Sequence, residues 1–175
     1  GPLMTQSVAE SADGLLVHPF HTPKYMDEIT LPLVEKGLSS AGKKSSDFDF
    51  SISIMTVSGL TEESYEKSLQ LCKNQIAFYA STPAYKGVLE SHDRGDMQPK
   101  LNILSKEGKW KEMGELIDDE LLNAIAVVAE SPKGVAEEIK KRYAGKGDRI
   151  SPAFYSGELE LASEVIKELR EEKEL

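Results

Sequence analysis

Two histidines follow the first apolar run of the chain, in the segment His18-Pro19-Phe20-His21. A histidine side chain changes its charge near neutral pH, so either one could carry a proton or contact a substrate or cofactor. The alternative is that both are loop histidines without a chemical role. The interpretation of the two histidines as a metal-binding pair has less support, because two histidines three residues apart are common in loops and no third ligand lies nearby in the sequence. No metal site is predicted.

The other reactive side chains have structural explanations. Cys72 falls on a helical stripe with Tyr65, Leu69, Ile76 and Tyr79, so it is interpreted as a small buried hydrophobe and not as a nucleophile. A single cysteine also excludes an internal disulfide. The acidic run 118–120 is typical of a solvated helix start, since consecutive carboxylates point apart on a helix.

Three aromatic residues allow two interpretations each. Tyr79, Tyr85 and Trp110 could close over an aromatic cofactor, or they could belong to the hydrophobic core. The glycines form neither a dinucleotide-binding nor a P-loop pattern, and no nucleophilic triad is evident. The sequence therefore gives no support to a hydrolase.

Composition restricts the class of protein further. The 175 residues carry 30 acidic and 21 basic side chains, a net charge of -9, and 39% of them are hydrophobic. This indicates one domain, expected over residues 4–175. The acidic balance argues against nucleic-acid partners, and no stretch approaches the roughly 20 apolar residues of a membrane span. A cytoplasmic location is expected. Residues 1–3, ahead of Met4, are typical of the remnant of a removed tag, so the native chain is expected to begin at Met4.

The elements that must position these side chains alternate between strands and helices. Pro32 is expected to kink or split the first helix, and the irregular stretch 82–114 is expected to be a functional loop or lid with short helical pieces. The order is that of parallel β-α units. The predicted strands are 15–17, 50–57 and 148–154, and the predicted helices are 22–38, 131–145, 157–175 and one that begins at Thr61 and continues through Tyr79. The apolar run 124–128 either ends a helix or forms a short strand.

Three strands cannot close a barrel, so something else should cover the sheet. In a monomer we expect Leu15, Val17, Ile52 and Ile54 to form an exposed apolar patch. A symmetric dimer would bury it. The last helix, through Val165 and Leu169, is the candidate interface; the alternative is that this helix packs over its own sheet.

Four separated segments resemble one protein family, in the same order along the chain. They are residues 12–23, 55–59, 75–85 and 148–152. Together they resemble luciferase-like monooxygenases, specifically the branch of oxidoreductases that uses the deazaflavin coenzyme F420. The resemblance covers residues 8–154.

The resemblance implies a partial TIM-type (β/α) barrel. The three predicted strands resemble the sixth, seventh and eighth barrel strands, with a helix-rich insertion before the last unit and an amphipathic helix at the end. Because barrel chemistry lies at the carboxyl ends of the strands, His18 and His21 are weak candidates for catalysis. The weak candidates for cofactor binding are Pro19, Phe20, Ser58, Gly59, Ser151 and Pro152.

Two functions remain open at this stage. In the first, the chain is the carboxyl-terminal part of an F420-dependent oxidoreductase that is active only after assembly with itself or with a complementary amino-terminal chain. In the second, it is a non-catalytic, homo-oligomeric binding or structural module. Most of the family's cofactor pocket lies in the five barrel units that have no counterpart here, and this favours the second function for the chain alone.

Overall fold

The computed structural model describes residues 1–171 and contains a parallel sheet of four strands. The strands are β1 (Gly14–Val17), β2 (Asp49–Val57), β3 (Val127–Val128) and β4 (Arg149–Phe154). The central strand β2 pairs with all the others. Its first residues pair with β1 on one side, and its middle pairs with β4 on the other. Because Thr56 pairs with both Val127 and Phe154, β3 lies on the same side as β1.

Ten α-helical segments connect and surround the sheet within the described range. The predicted helices are all present, and the stretch 82–114 contains the short helices expected of it. The segments are α1 (Pro2–Ser11), α2 (Pro23–Tyr25), α3 (Leu31–Ser40), α4 (Glu62–Ala80), α5 (Lys86–Glu90), α6 (Met97–Lys106), α7 (Trp110–Glu115), α8 (Asp119–Ile125), α9 (Pro132–Tyr143) and α10 (Leu159–Arg170).

The predicted break at Pro32 is a wide turn placed directly before the proline. A π-helical turn over Met26–Thr30 joins α2 to α3, and the Leu31 N–H donates to the Met26 carbonyl five residues back. Proline lacks an N–H and its ring crowds the preceding turn. The wide turn accommodates Pro32 while the chain stays helical on both sides.

One face of β2 is covered by helices. Phe50, Ile52 and Ile54 are buried in a cluster with Val34, Ile139 and Val165, from α3, α9 and α10. The expected exposed patch of Leu15, Val17, Ile52 and Ile54 is therefore wrong: Ile52 and Ile54 are 0% exposed, Val17 is buried, and Leu15 packs against the same cluster. The reason is that these side chains lie on the face of the sheet that α3, α9 and α10 cover.

The opposite face of the sheet, here called the open face, carries Leu16, Ser51, Ser53, Arg149 and Ser151. Side chains alternate between the two faces along a strand, and the register places Ser51 between Leu16 and Arg149, with Ser53 beside Ser151. Leu16 is 79% exposed, and Arg149 and Ser151 are exposed. Ser51 is buried and Ser53 is half-buried, so the uncovered part of this face consists of Leu16, Arg149 and Ser151.

The helix-rich insertion is longer than predicted. It leaves the sheet after Val57 and returns at β3, which pairs with the last two residues of β2. Its helices α4 to α8 form a second hydrophobic cluster with Met55 and Val57. Arg94 joins Asp118 at 2.7 Å and Glu120 at 2.8 Å. The insertion is a packed helical unit that caps the carboxyl end of the sheet.

The terminal helices pack on the rest of the domain. Helix α1, which the sequence analysis did not predict, packs against α3, with Ala9 fully buried. The α10 stripe is placed on its own domain, because Val165 is 0% exposed and Leu169 packs against the same cluster. This is the alternative to an interface through these residues. Residues 172–175 of the predicted last helix lie outside the described residues, and the tag remnant at 1–3 stays a prediction.

Across residues 1–171, no helix combines the length and apolarity needed to cross a membrane. In the same range, no three His, Cys, Asp or Glu side chains are grouped so that they could hold a metal ion. The cytoplasmic location stays a prediction.

Candidate functional site

The carboxyl ends of β1, β2 and β4 meet under the insertion, because all the strands are parallel. His18 follows β1, Ser58 follows β2, and Tyr155 follows β4. Tyr79 at the end of α4 and Tyr85 in the following turn close this edge from the insertion. In parallel α/β folds, chemistry is placed at this edge.

The ring of His18 packs against two tyrosine rings. It stacks on Tyr85, with centroids 4.9 Å apart and an interplanar angle of 25°, and meets Tyr79 edge-on at 4.6 Å. The backbone N–H of Phe20 donates to His18 Nδ1 at 3.2 Å. Partial burial lowers the pKa of His18 below its ordinary value of 6.5. The side chain is nevertheless exposed, so it is available to a ligand.

His21 lies in the protein interior and is 2% exposed. Its Nε2 is 2.8 Å from the Ser53 carbonyl oxygen, and its ring meets Tyr143 edge-on at 5.7 Å. Burial lowers the pKa of His21 to about 4, against the smaller opposing effect of the Ser53 carbonyl. The two histidines of the motif therefore have different surroundings, and His21 is a structural residue of the core.

The residues after β2 support the start of α4. Ser58 is fully buried, and its N–H donates to Ser68 Oγ at 3.4 Å. A Cβ on Gly59 would lie 2.3 Å from the Tyr65 nitrogen, so only glycine fits there. The Ser58 Oγ has no hydrogen-bond partner among the described residues. Of the two predicted cofactor-binding residues Ser58 and Gly59, only Ser58 has a polar side chain, and that side chain is buried.

The remaining predicted positions differ in exposure. Phe20 is 2% exposed and packs on Tyr85 with centroids 5.5 Å apart, so it anchors the loop in the core. Pro19 is half-buried in the same loop. Ser151 and Pro152 lie within β4 and not beyond its end; Ser151 is exposed on the open face, whereas Pro152 occupies an edge strand, where proline is tolerated.

Sequence reasoning missed Tyr155, which directly follows β4. Burial and a hydrogen bond with Tyr79 raise the pKa of Tyr155. Tyr155 lines a cavity of about 660 Å³ together with Gln75 and Trp110, and Trp110 is 53% exposed. Its position one residue after a predicted strand was the available signal.

Sequence reasoning also missed His92, in the insertion. Its Nε2 is 2.9 Å from Thr22 Oγ1, and Thr22 caps α2 by accepting the Tyr25 N–H. Burial lowers the pKa of His92. This contact fixes the insertion to the segment that carries the two predicted histidines.

The arrangement suits a planar organic cofactor on one side. The open face offers room over small side chains, His18 offers a ring nitrogen, and Tyr85 and Tyr155 offer aromatic and hydroxyl groups at the carboxyl edge. Pockets for such ligands combine apolar and aromatic walls with a few polar groups. The described residues that could contact such a ligand are His18, Tyr85 and Tyr155.

Comparisons of sequence show which family the chain resembles. A family model described as luciferase-like monooxygenase matches residues 1–149. Uncharacterized proteins of Mycobacterium tuberculosis and Mycobacterium bovis are 38% identical over 170 residues, which is 97% of this chain and 50% of theirs. A 5,10-methylenetetrahydromethanopterin reductase of Archaeoglobus fulgidus is 26% identical over 147 residues, 81% of this chain and 42% of that protein.

Solved structures share the fold. A coenzyme F420-dependent tetrahydromethanopterin reductase from Methanopyrus kandleri superposes with a TM-score of 0.74 at 21% identity, over 97% of this chain and 49% of the other. An F420-dependent secondary alcohol dehydrogenase, solved in complex with an F420-acetone adduct, gives 0.63 at 16% identity, over 97% and 45%. The chain therefore spans about half the length of the relatives it matches.

Proposed function

Because this chain belongs to the luciferase-like monooxygenase family, we propose that it supplies one wall of an oxidoreductase pocket for the deazaflavin coenzyme F420. Its three main strands, β1, β2 and β4, are neighbouring barrel strands in this proposal. The observation that carries it is the open face, where Ser151 is exposed and Ser53 half-buried, while the other face of the same sheet packs under helices.

A parallel sheet used only as a structural layer would be expected to be covered on both faces. Here Leu16 and Ser151 are exposed on the open face and Ser53 is half-buried, and the insertion brings Tyr79 and Tyr85 over its carboxyl edge. Space beside the sheet, with polar and aromatic groups at the carboxyl ends, is what a cofactor pocket requires.

The chain's own residues would hold and shield the cofactor. His18 and Tyr85 lie at the carboxyl edge, where they would contact the ring system, and the insertion would exclude water from it. When bound, the coenzyme supplies hydride transfer to or from a small organic substrate. The roles of this chain are orientation, hydrogen bonding and water exclusion.

The rest of the pocket must come from residues outside this chain. The proposed source is a complementary amino-terminal part of the barrel, which would pair with the outer edges of β1 and β4. A second copy of the chain is the other source named by the sequence analysis. Relatives of twice this length carry the additional residues in one chain.

One observation favours the second function, a non-catalytic homo-oligomeric module. Leu16, in the middle of β1, is 79% exposed on the open face. Two copies packed through this face would bury Leu16 and remove the uncovered surface. In that assembly the space for a cofactor would be filled by protein.

Co-expression distinguishes the two functions. This chain is produced with the segment of the Mycobacterium tuberculosis relative that it does not match, and the mass of the complex is measured by light scattering. Oxidised F420 is then added, and its absorbance is followed in the protein peak. The proposal expects a one-to-one complex that retains F420. A homo-oligomer that excludes the other segment, or a complex that never retains F420, would overturn it.

Paired variants identify where F420 binds. Ser151→Trp places a large ring on the open face, whereas Ser163→Trp places it on the exposed side of α10. We expect Ser151→Trp to lose F420 and Ser163→Trp to keep it. Equal retention by both variants would show that the open face is not the pocket wall.

A further inference from the structure

We infer that His18 is a fixed hydrogen-bond donor of the site, a neutral imidazole with its proton on Nε2, which it donates to a carbonyl oxygen of a bound ligand. The inference deepens the proposed function and rests on it for the identity of that ligand. Three features of the described structure support it: the contact at Nδ1, the packing of the ring, and the cavity that the ring borders.

The contact at Nδ1 selects the tautomer. The Phe20 N–H points at His18 Nδ1 over 3.2 Å, and a backbone N–H can only donate. Nδ1 must therefore carry a lone pair and no proton, so in the neutral ring the proton resides on Nε2. Protonation of Nδ1 would set two donors against each other and disrupt the turn after β1.

The packing of the ring fixes the direction in which Nε2 points. Tyr85 covers one ring face, and Tyr79 presents an edge contact. Phe20, which supplies the N–H, is itself held by both tyrosines, with centroids 6.0 Å and 5.5 Å away. A ring restrained by stacking and by a backbone hydrogen bond has little rotational freedom. Its donor is therefore preorganised.

The electrostatic surroundings keep the ring neutral. Partial burial lowers the pKa of His18, and the titratable groups packed around it are Tyr79, Tyr85 and the buried His21. Burial raises the pKa of Tyr85, and His21, with a pKa of about 4, is uncharged at pH 7. Among the described residues, burial is the cause of the lowered pKa of His18, and no carboxylate opposes it. The donor is therefore present across the neutral range.

Nε2 has space for an acceptor. His18 borders a cavity of about 270 Å³ that Leu16 and Tyr85 also line. Within the described residues, Nε2 makes no protein hydrogen bond. A small planar group with a carbonyl oxygen fits this chemistry, because a neutral donor stabilises partial negative charge on oxygen without giving up its proton. Two sources share it: a ring carbonyl of the deazaflavin and the carbonyl of an organic substrate.

The tautomer is tested on the chain alone. Two-bond proton-nitrogen correlation spectra of the nitrogen-15-labelled protein at pH 7 report which ring nitrogen of each histidine carries the proton, and the spectrum of His18→Gln assigns the signals. We expect an unprotonated Nδ1, a protonated Nε2 and a titration midpoint below 6.5. A proton on Nδ1, or a charged ring at pH 7, would overturn the inference.

The ligand is tested on the co-expressed complex. Oxidised F420 and acetone are added separately, and movement of the His18 Nε2 signal identifies the source of the carbonyl. If neither probe moves the signal, the donor role is refuted. We expect His18→Phe to weaken binding of the effective probe roughly three- to tenfold, the loss of one hydrogen bond. His18→Gln, whose amide reaches the same position, should weaken it less, and equal effects of the two variants would contradict a donor role.

The two proposals fail separately. A complex that never binds F420 would overturn the proposed function while the tautomer measurement still decides the state of His18. A His18 ring protonated on Nδ1 would overturn this inference even in a complex that binds F420.

Discussion

Acid should destabilise this fold through His21, and His21→Gln should remove that part of the sensitivity. The His21 ring is 2% exposed, and its Nε2 lies 2.8 Å from the Ser53 carbonyl, to which it donates in the neutral form. Nδ1 has no partner among the described residues. Burial disfavours the charged form and lowers the pKa to about 4, against the smaller opposing effects of the Ser53 and Thr22 backbone groups.

The direction and size of the effect follow from linkage. The unfolded chain, with its histidine pKa near 6.5, takes up a proton first as the pH falls, so this contribution to stability is complete above pH 6.5. It is lost as the pH falls from 6.5 through the folded value of about 4. At about 1.36 kcal/mol per pH unit, the loss is about 3 kcal/mol.

Urea unfolding at several pH values between 7 and 4 measures this difference. Glutamine at position 21 offers an amide N–H to Ser53 but does not titrate, so His21→Gln should lose about 3 kcal/mol less than the wild type over that range. Subtracting the two curves removes the common contribution of the carboxylates. His92→Gln is the control, because His92 is only partly buried and its ring is 2.9 Å from a side-chain hydroxyl.

Parallel stability curves for the wild type and His21→Gln would refute the reasoning. They would mean that protonated His21 finds a partner or water in the folded state. A His92→Gln variant that flattened the curve as much as His21→Gln would assign the acid sensitivity to the contact between the insertion and Thr22.

Two further predictions concern helix packing. Val165→Asp should destabilise the fold by at least about 3 kcal/mol in urea unfolding, because it buries a carboxylate in the cluster under α10. Ile166→Asp, at a position that is 41% exposed, should cost under about 1 kcal/mol. Similar losses of stability for the two variants would contradict the packing of α10. Gly37→Ala should lower the free energy of unfolding by about 1–3 kcal/mol, because its Cβ would lie 2.5 Å from the Gln6 carbonyl oxygen. It should also speed hydrogen exchange in α1 but not in α9. Unchanged exchange in α1 would show that α1 and α3 are not in contact there.

The alternating sequence of β2 predicted the strand but not which of its faces is covered. Phe50, Ile52 and Ile54 alternate with serines, and the structure buries the apolar set. The error was to assume that missing barrel units would uncover these residues. Outward-facing side chains of a barrel strand meet the helices of their own units, and those helices are present in this chain.

The motif with two histidines shows a second limit of sequence reasoning. His18 and His21 are of the same type and lie in the same loop, yet the side chain of His18 is exposed and that of His21 is 2% exposed. Their surroundings come from Tyr85 and Ser53, which are far away along the chain. The local sequence does not indicate such contacts, so only the tertiary structure distinguishes the accessible His18 from the structural His21.

Very short or weakly marked elements were only partly predictable, since the run 124–128 allowed either a helix end or a short strand, and nothing indicated α1. Strand β3 has two residues, and its pairing with the end of β2 fixes where the insertion ends. Helix α1 has no side-chain cap and no acidic residue in its first turn. Its stability comes from packing against α3, which the sequence of the helix alone does not reveal.

The insertion leaves the sheet after Val57 and re-enters beside the same residue, at Val128. Its two ends are therefore neighbours in space, and the connection from β2 to α9 would remain geometrically sound if residues 58–126 were shortened or replaced. A unit attached in this way can change its length and composition without altering the strands beneath it. In this architecture, the insertion over the carboxyl edge can change in sequence faster than the strands. New ligand preferences can arise there by exchange of a whole segment.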